Sequence, residues 1–317
     1  MSLKHDAFIT ANDLLQIENR LYESKSQELT ARKILSVNTG YAAYAQHVGY
    51  TAYSRRGSAR ILASGGGAKD ITFVGEDGTT VTHQVYTIAT GIRYSVEEIL
   101  AAQARNALGK GPSVPLDLMR ADAARRYLAE KENETALVGN SDFGIYGLLN
   151  NPNIPSGNSV DVNQGASGAN ATEKRKFKNK TAQEIADDII SGIEAVEKDG
   201  IFKAKIAVFP QSAKFRFMKL ISSTSSMTLM TWLKQEAGIS IEMIFTNEMA
   251  SSYNKLGSDA FLIMDNDSEI AELALPRDIT LGEPVYDLLR NSEQAVTERT
   301  AGCILRHPSA VYIGKGI

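Results

Sequence analysis

The chain has 317 residues, 43% of them hydrophobic, and a net charge of −3. That length allows one large domain or roughly two to three small ones with a sizeable core. The near-neutral charge excludes a domain built to wrap phosphate backbones, which is usually strongly basic. One cysteine, Cys303, excludes an internal disulfide and suits a reducing compartment. No His or Asp marks it as a nucleophile, so it is expected as a small buried hydrophobe.

Residues 1–19 are polar and charged, with no run of signal-peptide length. No window reaches the roughly 20 apolar residues that span a bilayer, so a cytosolic origin is expected. Over residues 11–36, Leu14, Leu15, Ile17, Leu21, Leu29 and Ile34 recur at helical spacings after Asn12, a capping residue. This segment brings little apolar mass. It is either a peripheral helix on its own domain or an arm that reaches a neighbouring copy.

Residues 51–92 change character. Arg55, Arg56, Arg60, the triplet Gly65-Gly66-Gly67 and Lys69 form a flexible, basic stretch. Ile71 and Phe73, then Val81, Val85 and Ile88, alternate with polar residues around Glu76-Asp77-Gly78. That pattern predicts a hairpin turning at Asp77-Gly78. An isolated two-stranded hairpin is marginal in water, so it must lean on another surface.

Ser95 and Glu98 form a capping box that opens a helix, broken at Gly109-Lys110-Gly111-Pro112. Pro115 restarts a helix over 116–137, about 33 Å long at ~1.5 Å per residue. Leu116, Met119, Ala123, Tyr127 and Leu137 form its expected buried stripe. Arg120, Asp122, Arg125, Glu130, Lys131 and Glu132 form the expected solvent face, and Gly139 ends the helix. Residues 150–180 read as a loop ending in Lys174, Arg175, Lys176, Lys178 and Lys180. That basic run is either a solvated loop or a contact to packaged nucleic acid or an acidic neighbour.

Thr181 and Glu184 open another helix, which Gly200 ends. Strands are expected at 206–209, 239–245, 260–264, 270–275, 278–288, 295–305 and 310–313. Short helices are expected at 214–221 and 227–235. This is an α+β mixture without the β-α-β rhythm of a doubly wound sheet.

Chemistry finds little support. Gly65-Gly66-Gly67 lacks the dinucleotide spacing, and Gly109-Lys110-Gly111 lacks the hydroxyl residue of a phosphate loop. Asp265-Asn266-Asp267 resembles a calcium loop, but Ile270 stands where a glycine is needed and Pro276 where a glutamate is needed. The four histidines, His5, His47, His83 and His307, make no ligand pair. No catalytic, cofactor-binding or metal-binding residue is expected.

Four segments, in order, resemble the major capsid proteins of tailed bacteriophages, the Hong Kong 97-type fold that encapsulin shells also use. They are residues 88–98 (Ile-Ala-Thr-Gly-Ile-Arg-Tyr-Ser-Val-Glu-Glu), the end of the long helix at 126–134, Gly144-Ile145-Tyr146-Gly147-Leu148-Leu149-Asn150, and residues 299–311. The resemblance implies an N-terminal arm at 1–50 and an extended hairpin loop at 51–87. It also implies a peripheral domain with a spine helix at 88–140 and 290–317, and an axial domain at 141–289.

It further implies a virion subunit, made in a bacterial cytoplasm, whose chief partner is itself, as pentamers and hexamers of an icosahedral shell around double-stranded DNA. The packaged DNA is touched only weakly and non-specifically, with separate scaffolding, portal or decoration proteins as further partners and no membrane. Candidate subunit-interface residues are Arg55, Arg56, Arg60 and Lys69 in the loop and Leu14, Ile17 and Leu21 in the arm. Some relatives weld subunits by a Lys–Asn bond. Lys69 lies in the matching loop, but neither the Asn nor the assisting Glu is matched, and no crosslink is expected. The alternatives are an encapsulin-like compartment and, from another class, a cytosolic enzyme with a dispersed site.

Overall fold

Two helices start where a short polar side chain can hold the first turn. In the computed structural model, which describes residues 28–59, 72–107, 116–222, 224–235, 240–289 and 291–317, the Ser95 hydroxyl accepts from the Glu98 amide. The Glu98 carboxylate accepts in turn from the Ser95 amide, both at 3.2 Å. Thr181 and Glu184 repeat the arrangement.

The chain runs through α1 (Ala31–Ile34), β1 (Ser36–Asn38), β2 (His47–Arg56), β3 (Gly75–Gln84), β4 (Tyr86–Tyr94), α2 (Val96–Ala107) and α3 (Leu116–Leu137). It continues through β5 (Gly139–Asn140), β6 (Ile145–Tyr146), β7 (Ser159–Asp161), α4 (Ala171–Arg175), α5 (Ala182–Glu197), β8 (Ile206–Pro210), α6 (Lys214–Phe217) and α7 (Leu229–Gln235). Then follow β9 (Glu242–Thr246), α8 (Ser251–Asn254), β10 (Ala260–Met264), β11 (Ala271–Ala274), β12 (Arg277–Leu281), β13 (Val285–Tyr286), β14 (Ser292–Thr300), β15 (Gly302–Leu305) and β16 (Val311–Lys315).

The central sheet has the order β7-β16-β10-β8-β9. Its strands alternate between two cores. Ile206, Val208, Leu262, Met264, Val311 and Ile313 enter one. Ala207, Phe209, Phe261, Ile263 and Tyr312 enter the other. A sheet covered on both faces needs continuous apolar runs, which is why these strands read clearly in the sequence. The helix α5 crosses its Phe-rich face at Gly192, where a Cβ would stand 2.8 Å from Ile263 Cδ1 and 2.9 Å from Tyr312 Cδ1. A second sheet, β1-β11-β15, carries the first described segment as its parallel edge strand. The strands β12, β14 and β13 form a third sheet, with β4 paired to β14.

Several expectations are corrected. Glu76-Asp77-Gly78 is not the hairpin turn. These residues lie inside β3, opposite Arg55, Ser54 and Tyr53. The partner strand is β2, whose Tyr50, Thr51 and Tyr53 favour extended backbone, and the pairing runs on past these residues to Arg56↔Gly75. The α3 stripe is also shifted. Tyr127 is 68% exposed, while Glu132, expected in solvent, is 2% exposed. The buried side runs through Ala124, Leu128, Glu132, Asn133 and Ala136, because distant segments bring partners to its polar members. Residues 278–288 break into β12 and β13, residues 295–305 break at Ala301 into β14 and β15, and residues 214–221 hold only a single turn, α6. The expected 150–180 loop contains β7 and α4. Of the expected 11–36 helix, the described part holds only α1.

The helix α3 covers its expected span. Gly139 follows it at φ 77°, and a Cβ there would meet the Ile145 carbonyl oxygen at 2.3 Å. Only glycine suits that left-handed position against the facing backbone. Among the described residues the chain forms two units. The smaller comprises 89–107, 116–128, 281–289 and 291–297, and the larger comprises the rest.

Candidate assembly surfaces

Strands β2 and β3 pair antiparallel from His47↔Gln84 to Arg56↔Gly75. The root of this ribbon is buried. Val48 and Val85 join Ala274, Ala301 and Ile304 in a small core, with Tyr41, Ala45 and Tyr50 packed against it. Outward from Thr51↔Thr80 every residue of both strands is exposed. Tyr53 is 73% and Phe73 89% exposed. Two free faces with exposed aromatics describe a ribbon that the other described residues do not cover.

Of the expected interface residues, Arg55 and Arg56 lie at the far end of this ribbon. Arg55 is registered opposite Glu76, and Arg56 Nη1 is 3.9 Å from Asp77 Oδ2. Arg60, Lys69, Leu14, Ile17 and Leu21 lie outside the described residues, as does the Gly65-Gly66-Gly67 triplet.

A charge cluster is built at the ribbon root around one buried carboxylate. Glu272 is 3% exposed and accepts from Asn38 Nδ2 at 3.0 Å, Tyr41 Oη at 2.5 Å and Arg306 Nη2 at 2.5 Å. Burial alone would push its carboxyl up, but these three donors outweigh burial and hold it below the usual range. Burial and then Glu272 push the Tyr41 phenol up to about 12. The Arg306 guanidinium also lies 5.5 Å from the Tyr50 ring centre.

A second polar cluster holds the segment that leads out of the N-terminal region. The amides of Thr30 and Ala31 donate to Asn133 Oδ1 at 3.1 and 2.8 Å. The Thr30 hydroxyl and Asn133 Nδ2 both donate to Glu248, itself buried. Arg32 grips Glu132 through Nε and Nη2 at 2.8 and 2.6 Å, and Asp278 through Nη2 at 2.8 Å. This two-pronged grip is the geometry a guanidinium suits best. The residues come from α1, α3, the 247–249 turn and β12, far apart in the chain, so sequence reading missed all of them. Asn133 and Glu132 carried no signal beyond being polar on a helix.

In the smaller unit, the 285–289 loop is shaped by Asp287, which accepts from the amides of Leu289 and Asn291 at 2.8 Å and from Asn291 Nδ2 at 2.7 Å. The loop holds Val285, Tyr286, Leu288 and Leu289 all at least 65% exposed. The basic run at 174–180 is largely matched within the chain. Arg175 pairs with Asp161, Lys176 and Lys178 with Glu173, and Lys180 with Asp188 in a dry interior. Among the described residues no group of three or more His, Cys, Asp or Glu side chains is placed to hold a metal, and no helix is long and apolar enough to cross a membrane.

This combination of spine helix, projecting ribbon and two-faced central sheet is the Hong Kong 97-type architecture of capsid subunits. The capsid protein of the myovirus phage XM1 matches it with a TM-score of 0.77 and 15% identity, over 98% of this chain and 100% of that one. Mycobacterium phage Ogopogo matches at TM-score 0.61 and 11% identity, over 98% and 99%. A virus-like particle from Pyrococcus furiosus matches at 0.53 and 13%, over 89% and 91%. No curated protein matches the sequence. Residues 57–317 match the major capsid protein family, and the chain belongs to it. It is a structural protein of the virion capsid, assembling with copies of itself, and not an enzyme.

Proposed function

We propose that this subunit forms pentamers and hexamers of an icosahedral shell around the double-stranded DNA of a tailed phage or prophage. The observation that carries the proposal is the ribbon. Its outer pairs are exposed on both faces, and a two-stranded ribbon gains stability only when another surface covers it. In a shell, a neighbouring copy supplies that cover through a heterologous contact, and such contacts close into rings when the rotation permits.

In this proposal residues 1–50 act as an arm, 51–87 as the overlapping loop, 88–140 with 290–317 as the peripheral part, and 141–289 as the axial part. Arg55, Arg56, Arg60 and Lys69 with Leu14, Ile17 and Leu21 contribute to subunit contacts. Contact with packaged DNA is weak and non-specific, in keeping with a net charge of −3 and a basic run matched by carboxylates of its own chain. Scaffolding, portal or decoration proteins are separate chains. An encapsulin-like container is the second use of such a fold, and the Pyrococcus furiosus particle is the similarity that favours it. The phage capsid likeness covers more of both chains.

Deleting residues 56–72 tests the proposal. The variant is expected to stay soluble and folded by circular dichroism but to form few or no particles in negative-stain microscopy. Normal shells from the deletion variant would overturn it.

A further inference from the structure

The ribbon root contains a histidine that the assembly argument does not use. His83 on β3 stacks on Tyr50 of β2, with ring centroids 6.4 Å apart and 18° between planes. Arg306 lies over the same Tyr50 ring and is tied to the buried Glu272 and to the Ser268 carbonyl at 2.8 Å. His83 and Arg306 therefore both lie against the Tyr50 ring at the point where the ribbon leaves the body. The Nε2 atom of His83 is buried and has no hydrogen-bond partner. It borders a cleft of about 400 Å³ between the ribbon root and the body, whose other titratable groups are Tyr50, Tyr86, Tyr146 and Cys303. Among the described residues no carboxylate lines that cleft. Glu272 lies beyond Arg306 and is already bound by three donors.

We propose that His83 is an acid-sensitive latch for the ribbon, holding the root closed while neutral and loosening it when protonated. A protonated imidazole needs acceptors for both nitrogens, and Nε2 has none here. Its charge would also add to that of Arg306 against the same ring. Burial first, and Arg306 second, lower the His83 pKa from the ordinary 6.5. The closed root therefore binds a proton less readily than an opened root, where the histidine is solvated. It follows that closure is fully favoured above about 6.5 and weakens as pH falls below that value. The cleft supplies the space into which the ribbon can tilt, and the consequence for a shell is that the overlap between subunits can be loosened by acid while each body stays folded.

The test is amide hydrogen exchange on the full, unassembled chain between pH 7.5 and 5, corrected for the intrinsic pH dependence of exchange. It does not depend on assembly, so its failure is distinct from failure of the shell proposal. The reporting amide is that of Val85, which donates to the Gln46 carbonyl at 2.9 Å at the ribbon root. The Leu262 amide in the central sheet is the control. Opening at Val85 is expected to rise by up to about tenfold for each pH unit through which the closed root resists protonation. Exchange at Leu262 should not change. His83→Gln and His83→Phe should both remove the acid response, Phe keeping the stack on Tyr50. One shared pH profile for the wild type and either folded variant would overturn the latch, as would a wild-type root that shows no acid response.

Discussion

Glu298 lies fully buried beside Glu132, and among the described residues no N–H or hydroxyl donates to either of its carboxylate oxygens. Burial, and then Glu132, push the Glu298 carboxyl up to about 9, against the opposing pull of Arg32. At neutral pH, Glu298 is held as the neutral acid, while Glu132 has its counter-ion in Arg32. Two adjacent carboxyl groups thus use one guanidinium and one proton.

Because the folded state binds this proton more tightly than the unfolded chain, stability falls as pH rises from about 4.5 toward about 9. The loss is at most ~1.4 kcal/mol per pH unit. Glu298→Gln, which keeps the shape without the charge, should be more stable than the wild type at pH 8 and nearly equal to it at pH 5. Urea unfolding at the two pH values measures this. An advantage for Glu298→Gln that does not grow with pH would count against the neutral acid.

The Lys180–Asp188 pair is almost wholly removed from water, with side chains 1% and 3% exposed. Breaking one half leaves a buried charge alone. Lys180→Met or Asp188→Asn should each cost about 3–5 kcal/mol, while Lys180→Met with Asp188→Leu should cost far less than the two single losses added. Denaturant midpoints of the three variants decide the matter.

At the start of α1, Asn133→Ala removes the acceptor of the Thr30 and Ala31 amides and one donor to Glu248. The expected loss is about 2–3 kcal/mol, from buried groups left without partners. Proteolysis should then begin near residue 30 before the central sheet is cut. If the cut near residue 30 comes no earlier than in the wild type, this cluster is not what seats the segment.

Arg55 and Arg56 are exposed, Arg55 registered opposite Glu76 and Arg56 lying 3.9 Å from Asp77. Reversing both to Glu places like charges beside Glu76 and Asp77, a change worth ~1 kcal/mol or less on such a surface. The isolated subunit should therefore keep its melting temperature within a few degrees. Particle yield, measured by sedimentation, should fall if these residues meet a neighbouring copy, and unchanged yield would remove them from the interface.

What the chain announces by itself is whatever depends on neighbours in sequence or on unbroken apolar runs. Ser95 with Glu98 and Thr181 with Glu184 are local devices, closed within one turn. The strands Ile206–Pro210 and Ala260–Met264 are apolar throughout because both sheet faces are covered. The ordered resemblance to capsid proteins was legible for the same reason: it is written along the chain.

Tertiary structure alone decided the rest. Asp77-Gly78 signals a turn locally, yet the cross-strand pairing with residues 47–56 makes it strand, since a hairpin's register is a pairwise property. Glu132, Asn133, Glu248 and Glu298 look like surface residues until Thr30, Arg32 and the spine helix are brought together. Burial of a polar group depends on partners 100 or more residues away, such as the Arg32–Glu132 and Thr30–Asn133 contacts, and no local pattern encodes which distant side chain will arrive.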